Sequence, residues 1–499
     1  KIKKYLFPYK YMKELNDIAK MFKIGLAGKQ SEILELRERL NKKDMLLSAI
    51  PEKLGYGEFY EEKETIFKIN KRNFKFKEFK EDFLEVKKAA AARSGSIYVD
   101  KFDDKVIILS GNGYFQYFDK KELDENKFKT QIIKSNIKDI IKYNDFYYNS
   151  KYGVKDLFIE DNDIYFSFTR EVKNNCFNTS ILKAKLNFEK LVFNEFFFPS
   201  ECIMADQPWF NPHSSGGRMV KFKDKIIFSI GEYLSKDIAQ DHKSIFGKIV
   251  VLDPLDKNYY KLLSIGHRNV QGLFIDEKNK TILSTEHGPQ GGDEINIDKN
   301  FIRGSDKINN YGWPISSYGE HYGFKKKGDM PQAYKKYPYY KSHKDHGFEE
   351  PLKYFVPSIA ISQIIKLNDN FFYDQQNNHL LIGALGDDPA EGDMSLHYIK
   401  TSKNYQKIID HQIININNRV RDIVVLDEKQ VLVTLETSST IGVLKIVEWY
   451  IYFMKKIFYN KLIKLTVNEF KKYDKKKLLN LILKGNVIII KKAVNKKKL

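Results

Sequence analysis

Six segments of this chain share one form: an apolar strand, a short turn of Asp, Asn or Lys, and a second apolar strand that often ends in Ser, Thr or Gly. They are SIYVDKFDDKVIILSG (Ser96 to Gly111), DLFIEDNDIYFSF (Asp156 to Phe168), MVKFKDKIIFSIG (Met219 to Gly231), GLFIDEKNKTILST (Gly272 to Thr285), FFYDQQNNHLLIGA (Phe371 to Ala384) and DIVVLDEKQVLVTL (Asp422 to Leu435). Each reads as a β-hairpin with a polar turn. Their second strands recur every 56 to 62 residues from Val106 to Ile282, and then after 98 residues at Leu380. A four-stranded propeller blade needs about 40 to 50 residues, so one hairpin per blade predicts an all-β, six-bladed β-propeller. The long interval must hold an insertion, the Gly, Tyr, Lys and Pro-rich run from about Phe301 to Phe355. Long insertions lie on the faces of such a fold, where ligands also bind.

The ends stand outside this repeat. Lys29 to Leu40, KQSEILELRERL, has helical patterning behind a Ser31 cap, and the tail from Val447 spaces Trp449, Phe453, Ile457 and Leu462 near helical intervals. The expected organisation is a helical N-terminal extension over 1–66, the propeller over 67–446 and a basic, helical C-terminal tail over 447–499. The formal charge of +20 is concentrated in that tail, which carries fifteen lysines against three acids. A lysine-only tail without an arginine-lined groove or a recognisable module argues against nucleic acid. It leaves two readings: a helix docked on the propeller, or an interfacial helix on an anionic membrane. No run approaches the roughly 20 apolar residues that span a bilayer. The chain starts at Lys1, which is compatible with a processed export signal. Cys176 and Cys202 are too few for a framework, and leave buried thiols or a single bridge as the alternatives.

Polar chemistry concentrates in Gly266 to Asn296, GHRNVQGLFIDEKNKTILSTEHGPQGGDEIN. Its first part offers Arg268 and Asn269 ahead of an apolar strand, a rigid rim for a polar ligand. Its second part offers a turn at Gly288, Pro289, Gly291 and Gly292 followed by Asp293 and Glu294. Backbone carbonyls with carboxylates suit a hard cation such as calcium.

The order of GHRN-x-QGL, STEHGP, GGDEIN and NNYGWPISSYGEHY (Asn309 to Tyr322) resembles the soluble quinoprotein glucose dehydrogenase and PQQ-dependent aldose sugar dehydrogenase family, also called glucose/sorbosone dehydrogenases. The likeness extends more loosely from about Lys155 to Ile446, through PSIAIS (Pro357 to Ser362), LIGAL (Leu381 to Leu385) and NRVRD (Asn418 to Asp422). It implies a six-bladed propeller, pyrroloquinoline quinone (PQQ) and calcium as cofactors, and oxidation of an aldose at its anomeric carbon to the lactone. An exported, periplasmic location, an unidentified electron acceptor and a Cys176–Cys202 bridge follow from the same resemblance.

Residue by residue, the resemblance makes His213 the proton-accepting base, a task suited to an imidazole of ordinary pKa near 6.5. It makes Arg268 and Asn269 the partners of the quinone oxygens. Arg419 and Arg421, two apart and so on one side of a strand, become contacts to the cofactor's acid groups. Gly288 and Pro289 would hold the cofactor's calcium through their carbonyls, and Glu294 with the Tyr311 carbonyl a second, structural calcium. Two positions depart from the family pattern. His213 stands five residues before Arg218 where the family spacing is four, so anchoring on Arg218 puts Ser214 at the base position. Gly386, Asp387 and Asp388 follow Gly383-Ala384-Leu385 where the family has a quinone-contacting lysine; Lys400, Lys341 and Lys344 are the replacements considered. The alternative function is a non-catalytic carbohydrate- or partner-binding propeller that keeps the calcium-stabilised scaffold.

Overall fold

A computed structural model describes residues 55–81, 97–111, 113–149, 151–322, 331–436 and 440–447. The chain divides into two compact units, Lys1–Lys445 and Ile446–Leu499. The helices expected near Lys29 to Leu40 and along the tail fall outside the described residues.

Among the described residues, six innermost strands pack side by side: Ile97–Phe102, Val154–Glu160, Gly216–Phe222, Val270–Asp276, Ile361–Leu367 and Val420–Val425. The last of them packs against the first, so the ring closes. From four of these strands a sheet steps outward in order, for example Val270–Asp276, Thr281–Glu286, Asp293–Asp298 and Lys353–Phe355. The other two lie at opposite ends of one ten-stranded sheet. It runs outward from Val420–Val425 through Gln430–Leu435 and Thr440–Ile446, crosses Arg72–Lys80 and Tyr56–Ile69, and returns inward through Lys127–Ser135 to Ile97–Phe102. An early strand thus pairs with the last one and ties the ring shut, leaving no free edge at the closure.

The residues that end the second strands explain the closure locally. Ser167 donates to the Gly217 carbonyl (2.6 Å), Ser229 to Val270 (3.2 Å), Thr285 to Ser362 (2.5 Å) and Thr434 to Ile97 (2.8 Å). Each bond joins the second strand of one hairpin to the inner strand of the next hairpin around the ring. Where Gly383 takes this place, a side chain would strike Ser362 and Val420, and Ser362 itself donates to the Val420 carbonyl (2.6 Å). Inner-strand aspartates add a second series: Asp100 accepts from the Ile159 amide (2.7 Å), Asp156 from Met219 (2.7 Å) and Asp422 from Val99 (3.1 Å). Apolar clusters fill the space between neighbouring sheets, as where Leu283 and Ile295 meet Ile361, Ile364 and Leu380. Cys176 and Cys202 form a disulfide that ties the start of strand Cys176–Lys185 to the chain preceding Ile203–Met204.

Two expectations move. The segment 56–66, assigned to a helical extension, belongs to the strand Tyr56–Ile69, whose alternating Phe59 and Phe67 reach inward from a polar face. The fifth hairpin does not begin at Phe371. Its inner strand is Ile361–Leu367, and Asn368 caps a short 3-10 turn over Asp369–Phe371, so the aromatic pair that looked like a strand packs on Phe74 instead.

Candidate active site

Five of the six inner strands carry a one-residue bulge at their start: at Val154/Asp156, Gly216/Met219, Val270/Gly272, Ile361/Ile364 and Val420/Asp422. Bulges re-aim side chains at a rim. The starts of these strands border one cavity of about 270 Å³, lined by Tyr98, Lys155, His213, Ser214, Arg268, Asn269, Gln271, His287, Tyr322, Asp387, Arg419, Arg421 and Glu436 among others. Of the residues singled out in the sequence, His213, Arg268, Asn269, Arg419 and Arg421 meet here. Gly288, Glu294 and Tyr311 border a smaller adjoining recess that also touches Arg268 and His287.

Each cavity residue is held by identifiable partners. His213 sits exposed at the mouth, while the following Ser214 is buried. Asn269 clips their loop in place: its carbonyl oxygen accepts from the Gly216 amide (3.0 Å) and from Gln271 (3.0 Å), and its amide donates to the His213 carbonyl (3.3 Å). Ser214 donates to Glu232 Oε1 (3.0 Å), a fully buried carboxyl that burial pushes up to about 7 against the pull of Arg268. Arg268 is 7% exposed, donates to the His287 carbonyl (3.1 Å) and packs its guanidinium on Trp313 and Tyr322. His287 is pushed down to about 4 by burial, so its ring is neutral near pH 7, with Nε2 bonded to the Ile361 carbonyl (2.8 Å).

Arg419 and Arg421 converge on the buried Glu436, which accepts from Arg421 at 2.9 Å, while Asp387 accepts from Arg419 at 2.7 Å. The acid that follows Leu385 therefore neutralises an arginine instead of facing the cavity alone. Lys400 pairs with Asp374 and Lys341 with Glu320, and the lysine that borders the cavity among the described residues is Lys155. Behind the floor, Arg218 is buried and its Nη1 reaches both Asp156 and Asp422 at 2.7 Å. Desolvation and the neighbouring Asp422 push Asp156 up, and the two carboxylates hold the Arg218 proton tightly.

In the glycine turn, Asp293 is buried and accepts from the Gly288 amide (2.9 Å), Ser358 (2.8 Å) and the Ile361 amide (3.0 Å). A side chain at Gly288 would meet the Gly292 carbonyl at 2.2 Å, so the turn closes only with glycine there. Glu294 points the other way. It faces Glu286 across the sheet, with Asn296 donating to both (2.9 and 3.2 Å) and His343 3.2 Å from Glu294. Asn296 Oδ1 is buried without a hydrogen-bond partner. No cluster of three or more His, Cys, Asp or Glu side chains with metal-binding geometry occurs among the described residues.

Sequence reasoning missed Glu232, Glu436, Lys155 and Tyr322. The GE pair that ends the third hairpin, Gly231-Glu232, was the available signal for the first.

The family model for glucose / sorbosone dehydrogenase matches residues 130–444, which hold every named cavity residue except Tyr98. Aldose sugar dehydrogenase YliI of Escherichia coli is 34% identical over 186 residues, which cover 34% of this chain and 45% of the relative. An uncharacterized protein of Synechocystis sp. is 29% identical over 205 residues, covering 39% of this chain and 43% of the relative. The matches span less than half the length of these curated relatives. A crystal structure of glucose dehydrogenase superposes with a TM-score of 0.55 at 19% identity, covering 73% of this chain and 99% of that one. The apo-form of the soluble aldose sugar dehydrogenase from Escherichia coli gives a TM-score of 0.51 at 22% identity, with 70% and 95% covered. These structures share the β-propeller-like fold. With the match extending through the strands that build the cavity, the chain belongs to the glucose / sorbosone dehydrogenase family.

Proposed function

We propose that this protein is a calcium-dependent, PQQ-linked aldose dehydrogenase on a six-bladed propeller, oxidising a sugar at its anomeric carbon to the lactone. The observation that supports it best is the convergence of His213, Arg268, Asn269, Arg419 and Arg421, from three separate loops, on one cavity.

The residues present fit the quinone. Four cations, Lys155, Arg268, Arg419 and Arg421, border the cavity against Asp387 and Glu436, and Arg421 keeps a buried Nε–H without an acceptor. Arg419 and Arg421 would hold the acid groups of PQQ, as guanidinium–carboxylate pairing favours. Arg268 and Asn269 would hold its ring oxygens, where a fixed cation stabilises developing negative charge. When bound, PQQ supplies the two-electron acceptor for the hydride leaving the anomeric carbon. His213 takes the proton of the anomeric hydroxyl, so that a carbonyl forms at that carbon. The contacts of Arg268 with the His287 carbonyl, Trp313 and Tyr322 fix its guanidinium in the cavity wall.

The donor chemistry also fits calcium. The carbonyls of Gly288 and Pro289 would hold the ion that serves the cofactor, and calcium there would supply Lewis acidity. Glu294 and the Tyr311 carbonyl would hold a second ion, toward which the orphaned Asn296 oxygen is a further donor. The reading extends to an exported protein whose basic tail meets anionic lipid, and which passes electrons to an acceptor outside the chain.

The pairing of Asp387 with Arg419 favours a second reading, a binding propeller that has lost the quinone. Reconstitution with PQQ and calcium, followed by dye reduction over a panel of aldoses, separates the two. Turnover supports the dehydrogenase, and its absence with bound sugar supports the binding propeller.

A further inference from the structure

Ser214 occupies the register position at which the family spacing from Arg218 places the base, and its surroundings suit it to a different task. Its backbone is fixed on both sides: the amide donates to the Asn211 carbonyl (3.0 Å) and the carbonyl accepts from the Tyr233 amide (2.8 Å). Its hydroxyl has one proton, and that proton is directed at Glu232 Oε1, 3.0 Å away. The same oxygen accepts from the Leu234 amide (3.0 Å), so both donors converge on one carboxyl oxygen. The carboxyl has no exposure to solvent, and Glu232 Oε2 is buried without a hydrogen-bond partner. Because Oε1 already accepts from the Leu234 amide, it stays an acceptor toward Ser214 in either protonation state of the carboxyl, the acid proton residing on the unpartnered Oε2. Ser214 is therefore left with lone pairs to offer the cavity it borders, next to His213 on the same wall.

We propose that Ser214 is a specificity-determining acceptor for a second sugar hydroxyl, adjacent to the one that His213 deprotonates, and that Glu232 is the positioning residue that keeps Ser214 in that role. This rests on the reading of the cavity as a sugar-oxidising site. Two acceptors on consecutive residues recognise two neighbouring O–H donors on one ligand. The substrate class this selects is an aldose with a free hydroxyl beside the reacting one, rather than any aldehyde hydrate or an alkyl alcohol. A wall built to accept a hydroxyl proton discriminates against an analogue that lacks it, because the buried acceptor then goes unsatisfied.

The test uses the full chain loaded with PQQ and calcium, the best aldose of the panel and its complete set of monodeoxy analogues. In the unaltered protein one monodeoxy sugar should lose at least about tenfold in kcat/KM, the scale of one well-made hydrogen bond. Ser214→Ala should lose a similar factor with the parent sugar and stop distinguishing that analogue. Glu232→Ala should reproduce this loss of discrimination, and Ser214→Thr should restore it. Calorimetric binding of the same sugars gives a readout independent of turnover, and PQQ affinity, which Ser214 does not carry, reports that the variants are folded. If Ser214→Ala discriminates among the analogues as the unaltered protein does, the proposal is wrong. If no sugar is oxidised but binding still shows a Ser214-dependent preference, the dehydrogenase reading fails, and of this inference only the recognition of a sugar hydroxyl by Ser214 stands. If no sugar binds, both fall.

Discussion

Replacing Arg218 with Met tests whether the floor of the cavity is held by charge. The guanidinium is 4% exposed, its Nη1 lies 2.7 Å from Asp156 and 2.7 Å from Asp422, and its Nε donates to the Gln271 carbonyl at 3.0 Å. Those contacts join four inner strands through one side chain. A methionine fills comparable volume but leaves two buried carboxylates facing each other, and breaking a buried pair in this way costs about 3 to 5 kcal/mol. The cost should depend on pH, with a definite sign. Burial already raises Asp156 to about 8, and removal of the cation raises it further. A carboxyl whose folded pKa exceeds its unfolded value binds more protons when folded, so stability is greatest below the unfolded pKa. It falls as pH rises toward the folded one. The unaltered protein shares this fall up to about pH 8, so denaturant unfolding of Arg218→Met should show a deficit that is smaller at pH 7 than at pH 9, where only the variant still binds the proton in its folded state. A variant with midpoints matching the unaltered protein at both pH values would show that the triad contributes nothing to stability, and would refute the argument.

Other consequences are as direct. His213→Ala should lower PQQ-linked turnover by about 10²-fold or more while sparing PQQ affinity, the signature of a lost general base; unchanged turnover in steady-state assays would remove His213 from the chemistry. Asp387→Asn should tighten PQQ binding by up to about fivefold, since releasing Arg419 from a largely exposed carboxylate is worth at most about 1 kcal/mol, and fluorescence titration would detect weaker or equal binding as a contradiction. Calcium at 100 times its dissociation constant should add about 2.7 kcal/mol of stability, so a melting curve that ignores chelation would count against the Gly288–Pro289 and Glu294–Tyr311 assignments together.

The hairpins were legible because alternation and turn chemistry are local. Even the Ser, Thr or Gly that closes the second strands was visible as a pattern, although its meaning, a bond across to the next inner strand, needed the ring. The fifth inner strand was not legible. Phe371-Phe372 has the stronger strand composition, yet Asn368 caps a turn there and the aromatics serve a neighbouring sheet. The arginines of the cavity could be read from motifs, because each motif is contiguous. Their carboxylate partners could not, since Glu436 comes from the far end of the hairpin that Arg419 opens and Asp387 from the neighbouring sheet. Glu232 is similar: an acidic residue at a hairpin end reads as solvated until Ser214 and Leu234 are seen to enclose it.

In the proposed function, three arginines and a glycine turn form a site for a quinone tricarboxylate with calcium. Calorimetric titration of PQQ into the chain of residues 1–499 tests it most directly. With calcium, one PQQ should bind per chain, and Arg268→Ala should weaken that binding markedly. Heat of dilution alone, with and without calcium, would contradict the account.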